Sequence, residues 1–203
     1  MERLDGVPVG PFAATASRAA KQRAGVALGM AFVKMQYVLR SIHADPHPGN
    51  YLFAPDGRLG ILDFGCVRTY DLQFMATYGE AGLYTIRDDR EAVMQRLLTM
   101  GALVHRDAAA EDALWGFCEA IARPFRGGVF RFGSVDDDVQ DRITAVVARI
   151  LASRAIRSPR ELVFLHRGLA GLHTVAKQLQ PELDWRDVFE RHVEICRRDA
   201  GRI

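Results

Sequence analysis

The sequence has few cysteines and no long hydrophobic run, and each absence excludes a class of protein. Its three cysteines are scattered among 203 residues without a CxxC pair, so a disulfide-bonded secreted domain is not expected. The longest apolar run covers residues 24–33, whereas a membrane-spanning helix needs roughly 20 apolar residues. The first residues also lack the basic stretch and apolar core of a secretory signal. We therefore expect a cytoplasmic protein without a transmembrane segment, and we leave open its peripheral attachment to a membrane.

An excess of one charge is also missing. Lys and Arg number 27 and Asp and Glu number 25, so the formal net charge is +2. This balance predicts no nucleic-acid partner, because binding to a phosphate backbone relies on clustered positive charge. Hydrophobic residues make up 49% of the chain, which is enough for one globular domain with a substantial core.

The spacing of apolar residues predicts a mostly α (α+β) domain with one small β-hairpin. Residues 1–14 contain two glycines and two prolines and are expected to be extended or looping. A helix is predicted from Ser17, a suitable N-cap, to about residue 40. A loop over residues 41–50 then precedes two short strands, YLFA and LGIL, joined by the turn PDGR.

Only helices are predicted after Gly65. The six candidates are residues 71–86, 89–103, 111–125, 137–154, 159–179 and 184–198. The acidic run 136–138 is interpreted as the solvated start of one of these helices, where carboxylates complement the helix dipole. His173 lies in another of them and has no partner motif.

Three polar residues on irregular backbone form the candidate site. Asp45 and Asn50 lie on the predicted loop, and Asp63 ends the second strand. Because a hairpin folds residue 50 back toward residue 63, Asn50 and Asp63 are expected side by side, with Asp45 facing the same space. Carboxylate and amide oxygens suit Mg²⁺, which takes few protein ligands and adds substrate phosphates. Gly65 is expected to allow a sharp turn just after the metal ligand.

The order and spacing of these residues match two motifs of protein kinases. The catalytic-loop pattern D-x-x-x-x-N runs from Asp45 to Asn50, and D-F-G occupies residues 63–65. In kinases the loop Asp orients the nucleophile, while the Asn and the DFG Asp hold metal. His43, two residues before Asp45, is expected to have a structural role rather than to act as a base.

The sequence HADPHPGN, followed by DGR and LDFG, resembles the catalytic-loop and DFG motifs of the UbiB/AarF/ADCK family of atypical kinases. MERLDG at the start is similar to the hinge between the lobes in that family, and LVFLHRGLAGLHTVAKQLQPELD is similar to its late helices. The resemblance covers nearly the whole chain, although only residues 43–65 match tightly. It implies a protein-kinase-like C-lobe over residues 1–203. Its parts would be a hinge-like segment (1–14), the catalytic helix, loop and DFG hairpin (15–65), and a helical subdomain (66–203).

The resemblance also implies roles for the polar residues of the site. Asp45 would be the catalytic-loop Asp. Asn50 would be a metal ligand, and Asp63 the principal ligand of Mg²⁺. The family implies ATP binding with kinase or ATPase activity, in support of ubiquinone or other isoprenoid-lipid metabolism. A nucleotide and a lipid or quinone-pathway component are therefore the expected partners.

Four apolar or hinge positions would bind the rest of the ATP cofactor. Leu52 would form the apolar floor under the adenine, and Leu62 would line the pocket just before the DFG segment. Backbone groups from Glu2 to Leu4 would border the adenine edge. These roles, too, are carried over from the resemblance.

The sequence departs from the family by lacking a small N-lobe. It shows no VAIK-like strand, no glycine-rich loop and no KxGQ segment. The N-lobe is expected on the same longer protein or on a separate chain, unless these residues are a stand-alone remnant. The alternative function is therefore a pseudokinase-like binding module without activity. A more distant alternative is a kinase like the aminoglycoside phosphotransferases, whose loop reads H-G-D-x-x-x-x-N.

Overall fold

The computed structural model describes residues 5–45 and 47–202, and helices dominate this part of the chain. The helices are α1 (Val9–Thr15), α2 (Arg18–Tyr37), α3 (Leu72–Ile86), α4 (Arg90–Thr99), α5 (Ala108–Ala122), α6 (Val139–Ala152), α7 (Arg160–Leu179) and α8 (Trp185–Asp199). The strands are β1 (Val7–Pro8), β2 (Ser41–His43), β3 (Tyr51–Phe53), β4 (Leu59–Ile61), β5 (Val67–Thr69), β6 (Phe130–Arg131) and β7 (Glu182–Leu183). This architecture confirms the predicted mostly α fold.

Helix α1 begins in the segment 1–14, for which the sequence predicts extended or looping backbone, so that prediction is wrong over residues 9–14. Pro11 does not prevent the helix, because N–H groups in the first turn have no partner within a helix. Val9 and Phe12 are buried, and the Phe12 ring stacks on Phe53 with 5.3 Å between centroids. Burial against the hairpin therefore outweighs the local preference of this segment.

Helix α2 begins where the sequence predicts, at Ser17. The Ser17 hydroxyl oxygen accepts a hydrogen bond from the Ala20 N–H at 3.2 Å, as expected of an N-cap. Leu28 and Phe32 are almost fully buried, since α2 packs against both α7 and α8. This central helix fixes the position at which the chain enters the candidate site.

The predicted hairpin is present and gains a third strand. Strands β3 and β4 are antiparallel, with Tyr51 opposite Ile61 and Phe53 opposite Leu59. Strand β1 pairs with the other edge of β3. Gly57 in the connecting turn has a φ of 88°, a left-handed conformation that glycine adopts without steric cost.

The antiparallel pair of β2 and β5 is absent from the sequence prediction. Ser41 lies opposite Thr69, and His43 lies opposite Val67. The sequence instead predicts a loop at the first strand and only helices beyond Gly65, so both predictions are wrong at these strands. Three residues give too few alternating positions for a recognisable pattern, and no tight turn like the one between β3 and β4 marks this pair.

The six helices predicted after Gly65 are all present, and an aspartate side chain caps the start of four. These side chains accept hydrogen bonds from first-turn N–H groups, and they belong to Asp71, Asp89, Asp107 and Asp184. Met75, Leu165 and Val193 are fully buried and join α3, α7 and α8 in one core. Among the described residues, no helix is both long and apolar enough to cross a membrane.

The acidic run 136–138 is not solvated throughout. Asp137 is buried and accepts a hydrogen bond from the Gly133 N–H at 2.7 Å. Its Oδ1 lies 2.9 Å from Nε2 of His173 on α7. The solvated interpretation is therefore wrong at Asp137, because the loop before α6 folds onto α7 and supplies His173 with a partner.

Candidate functional site

Backbone pairing brings the two kinase-like motifs together. The Ala44 N–H donates to the Cys66 carbonyl at 3.0 Å, which continues the ladder of β2 and β5. The Leu62 N–H donates to the Asn50 carbonyl at 2.8 Å, which continues the ladder of β3 and β4. The loop residue Asn50 is thus joined directly to the residue that precedes Asp63. The expected closeness of these two segments has a backbone cause.

His43 lies behind this junction. Only 1% of its surface is exposed, and its Nε2 lies 2.8 Å from the Leu62 carbonyl oxygen. Because a carbonyl can only accept, Nε2 carries the proton and donates. His43 therefore holds β2 against the end of β4, which is the structural role expected for it.

The side chains of Asp45 and Asn50 are in direct contact. Asn50 Nδ2 donates to Asp45 Oδ2 at 3.0 Å and reaches the Asp45 carbonyl at 3.3 Å. Since the amide nitrogen faces Asp45, the amide oxygen of Asn50 is left for another ligand. A single-turn 3₁₀ helix, Pro48–Asn50, holds the asparagine in this position.

Asp63 has an unusual backbone conformation at the edge of the junction. Its φ of 56° and ψ of 73° are left-handed, a conformation that costs a residue other than glycine on the order of 1–3 kcal/mol and is frequent at functional sites. Its Oδ1 accepts a hydrogen bond from the Gly65 N–H at 3.2 Å. The sharp turn expected at Gly65 therefore falls at Asp63, because this side-chain bond closes the turn.

Arg167 is a residue near the site that sequence reasoning missed. It lies on α7, and its Nη2 is 3.4 Å from Asp45 Oδ1, with both side chains partly exposed. The two residues line a cleft of about 420 Å³ together with His47, Ala170, Gly171 and Thr174. No spacing in the sequence signals a residue 122 positions away, so only the packing of α7 against β2 shows it.

The predicted adenine-binding positions are described only in part. Leu52 is half-buried on β3, between the fully buried Tyr51 and Phe53. Since side chains alternate along a strand, Leu52 lies on the face opposite the core. Leu62 is also half-buried. Glu2 and Leu4, predicted along the adenine edge, lie outside the described residues.

The chemistry of the site favours a hard cation with few protein ligands. Asp63 offers a largely exposed carboxylate and Asn50 an amide oxygen, both of the oxygen type that Mg²⁺ prefers. No group of three or more His, Cys, Asp or Glu residues suited to a metal occurs in residues 5–45 and 47–202. The donor set therefore fits an ion that keeps water or substrate oxygens as further ligands.

Comparison with known proteins shows similarity to atypical kinases. The family model of the ABC1 atypical kinase-like domain matches residues 1–97, which include both motifs. The chain is 27% identical over 157 residues to the mitochondrial atypical kinase COQ8B of Rattus norvegicus, covering 76% of this chain and 29% of that protein. It is 26% identical over 154 residues to the mitochondrial atypical kinase COQ8 of Saccharomyces cerevisiae, covering 73% of this chain and 30% of that protein.

These matches support the UbiB/AarF/ADCK family of atypical kinases. The matched region spans less than a third of the length of those two relatives. The match to the family model includes the loop and the DFG hairpin, so both lie in a region similar to an atypical kinase-like domain.

A solved structure supports the fold independently. The complex of Rv3197 with erythromycin from Mycobacterium tuberculosis superposes with a TM-score of 0.70 at 19% identity. The similarity covers 93% of this chain and 47% of that protein. At this level of identity the likeness concerns the fold alone, and it extends beyond residue 97 into the helices that the family model does not match.

Proposed function

We propose that residues 1–203 form the C-terminal lobe of an atypical kinase or ATPase that binds Mg·ATP. The observation that carries this proposal is the contact of Asn50 with Asp45 through its side chain and with Leu62 through its backbone. These contacts link the catalytic-loop Asp to the segment bearing the DFG Asp. The match of residues 1–97 to the ABC1 atypical kinase-like domain supports the same proposal.

In this proposal, Asp63 and Asn50 hold the metal. Asp63 supplies the formal negative charge, and the Asn50 oxygen supplies a neutral ligand. An Mg²⁺ ion held by these two residues would supply positive charge against the negative charge of the ATP phosphates. Leu52 and Leu62 would contact the adenine, and the hinge-like residues Glu2 to Leu4 would border its edge.

Asp45 acts on the nucleophile rather than on the metal in this proposal. Its carboxylate would accept or orient the proton of the attacking hydroxyl or water, as the loop Asp does in kinases. The Asn50 amide fixes one of its oxygens, and Arg167 lies near the other. We further propose that the reaction supports ubiquinone or other isoprenoid-lipid metabolism, as the family resemblance implies.

The metal assignment is tested with Mn²⁺, a paramagnetic substitute for Mg²⁺. Water-proton relaxation measures the binding of Mn²⁺·ATP to the 203-residue chain. This binding should be lost in Asp63→Asn. Asp56→Asn is the matched control, because it removes the same charge from an exposed position in the hairpin turn. Equal binding by all three proteins would contradict the assignment of Asp63.

The activity of the 203-residue chain alone is a separate test. Its sequence shows neither a VAIK-like lysine nor a glycine-rich loop to cover the phosphates. Losing one charge-assisted contact costs on the order of 1.5–3 kcal/mol, and each 1.4 kcal/mol is about tenfold in affinity. We therefore expect near-millimolar or weaker ATP binding and no hydrolysis above background. An ATPase assay measures the hydrolysis. Turnover that disappears in Asp63→Asn would show that the lobe is catalytic by itself.

A further inference from the structure

An apolar cavity of about 270 Å³ lies inside the helical subdomain, away from the candidate site. Its walls come from α3, α5, α6 and α7 and include Leu114, Phe117, Ile121 and Leu162. An engineered apolar cavity of about 150 Å³ binds benzene. By simple scaling, this cavity has room for roughly ten carbon atoms.

The mouth of the cavity is apolar as well. Leu151 on α6 is 80% exposed, and Val147 on α6 and Val163 on α7 are 40% and 48% exposed. All three side chains also line the cavity. Helix α6 packs mainly against α5, so the gap between α6 and α7 forms an apolar path from the surface to the interior.

The polar groups along the cavity are nearly all neutral. Among the described residues, no carboxylate lines it, and Arg157 is its one cationic lining residue. Burial raises the pKa of the Tyr37 and Tyr78 hydroxyls, so both stay protonated. Burial lowers the pKa of His166 to about 4, so its ring is uncharged near neutral pH. A cationic ligand inside would lose its hydration without gaining a partner of opposite charge, and an anionic ligand would have only Arg157.

Two of these neutral groups have unmet hydrogen-bonding capacity. Gln36 is 4% exposed, and its Nε2 has no hydrogen-bond partner in the described part of the chain. A buried amide nitrogen without a partner costs on the order of 1–3 kcal/mol. The His166 side chain makes no hydrogen bond to the described residues, and its ring lies 5.0 Å from Phe117 and 5.9 Å from Tyr78 between centroids. Both side chains can donate and accept, so one hydroxyl or carbonyl oxygen would complement them.

We infer that this cavity binds an uncharged, largely apolar molecule of roughly ten carbons that carries a single hydroxyl or carbonyl oxygen. The apolar part fills the space between α5, α6 and α7, and the oxygen meets Gln36 and His166. Sugars and nucleotides do not fit this chemistry, because most of their polar groups would be buried unpaired. The site shares no residue with Asp45, Asn50 or Asp63, so it stands or falls independently of Mg·ATP binding.

The experiment measures displacement of 1-naphthylamine, a neutral dye of ten carbon atoms whose emission depends on the polarity of its surroundings, from the 203-residue chain. We expect 1-decanol to displace the dye at a concentration at least tenfold lower than decanoate, which has the same chain length and a charged head. Failure of the wild-type chain to take up the dye would overturn the inference. So would tighter binding of decanoate that is lost in Arg157→Gln, because the site would then select an anionic head.

Two variants, Cys118→Phe and Gln36→Leu, test where the ligand binds, and Ala109→Phe is the control. Cys118→Phe places a ring into the cavity and should abolish dye uptake, while Ala109→Phe adds the same ring at an exposed position of α5 and should leave uptake unchanged. Gln36→Leu keeps the volume but removes the amide, and should weaken 1-decanol about two- to tenfold. This second variant decides the question if Cys118→Phe does not fold. Unchanged affinity for 1-decanol in Gln36→Leu would overturn the role of the amide.

Discussion

The carboxylate of Asp63 in the hairpin region and the carboxylate of Glu80 in the helical subdomain have opposite surroundings. Asp63 is exposed, and its one hydrogen bond to the described residues comes from a backbone N–H. Glu80 is 4% exposed and lies near three arginines. Arg197 Nε and Arg202 Nη1 are 3.3 and 2.9 Å from its oxygens. Arg96 Nε is 2.8 Å away, although its N–H does not point at the carboxylate.

The difference shows that surroundings, rather than residue type, separate an acid that is open to a ligand from one that is held by other side chains. The three arginines carry more positive charge than the Glu80 carboxylate carries negative charge. Glu80 joins α3, α4 and α8, so its carboxylate is not open to a cation. Asp63 keeps its charge near the surface on strained backbone, where a cation can reach it. The fold tolerates the left-handed backbone of Asp63, and the exposed side chain of this residue does not contribute to the packing of the core.

The largest expected effect concerns Asp45. In a form of the protein that turns over ATP, Asp45→Asn should lower kcat about 10²- to 10⁴-fold, the usual range for a positioned acid–base group. The affinity for Mg·ATP should change little, because orienting the nucleophile matters mainly in the transition state. Steady-state kinetics and calorimetry measure the two quantities. Equal losses in kcat and in affinity would indicate that Asp45 binds the metal, as Asp63 is proposed to do.

Glu80→Gln should produce the opposite pattern. Removing the charge leaves three arginines without their shared partner. Loss of a buried ionic partner costs about 3 kcal/mol at the lower end of the usual range, which applies here because the arginines are partly exposed. Urea unfolding measures the loss. Mn²⁺·ATP binding by the folded variant should be unchanged, and an unaltered unfolding free energy would contradict the structural role of Glu80.

His166 extends the comparison to a buried group that has no charged partner. Burial lowers its pKa from 6.5 to about 4, so the unfolded chain binds more protons than the folded one between these values. Above pH 6.5 the protonation of His166 does not lower the free energy of unfolding. As the pH decreases from 6.5 toward 4, this free energy falls. The loss between pH 7 and pH 5 should be about 2 kcal/mol.

The matched substitutions His166→Gln and His105→Gln test this dependence. The first should flatten the fall in unfolding free energy between neutral and acidic pH, measured by urea unfolding at a series of pH values. The second alters an exposed histidine and should leave the slope as it is. Identical slopes for wild type and His166→Gln would show that His166 does not lose stability by protonation.

The smallest expected effect concerns Ser17, a polar residue that is exposed yet structural. Ser17→Ala removes the cap of α2 and should lower the unfolding free energy by about 1 kcal/mol. Ser17→Asn is the control, because it preserves a capping oxygen and should recover most of the loss. Mn²⁺·ATP binding should not change in either variant. A change in metal binding would mean that exposure alone fails to separate the two kinds of polar residue.

Local chemistry determined much of this protein before any tertiary contact. Ser17 placed the start of α2, because a hydroxyl satisfies a free N–H group wherever a helix begins. The turn around Gly57 defined the hairpin, and the D-x-x-x-x-N and DFG spacings marked Asp45, Asn50 and Asp63. These signals lie within short stretches of sequence, and the conformations that they favour survive in the folded chain.

Long-range packing decided the rest. It made a helix of the segment Val9–Thr15, paired β2 with β5, buried Asp137 against His173 and brought Arg167 to Asp45. It also opened the apolar cavity, whose walls come from helices far apart in the sequence. None of these features has a local cause, because each depends on burial and on partners that become neighbours only when the helices pack together.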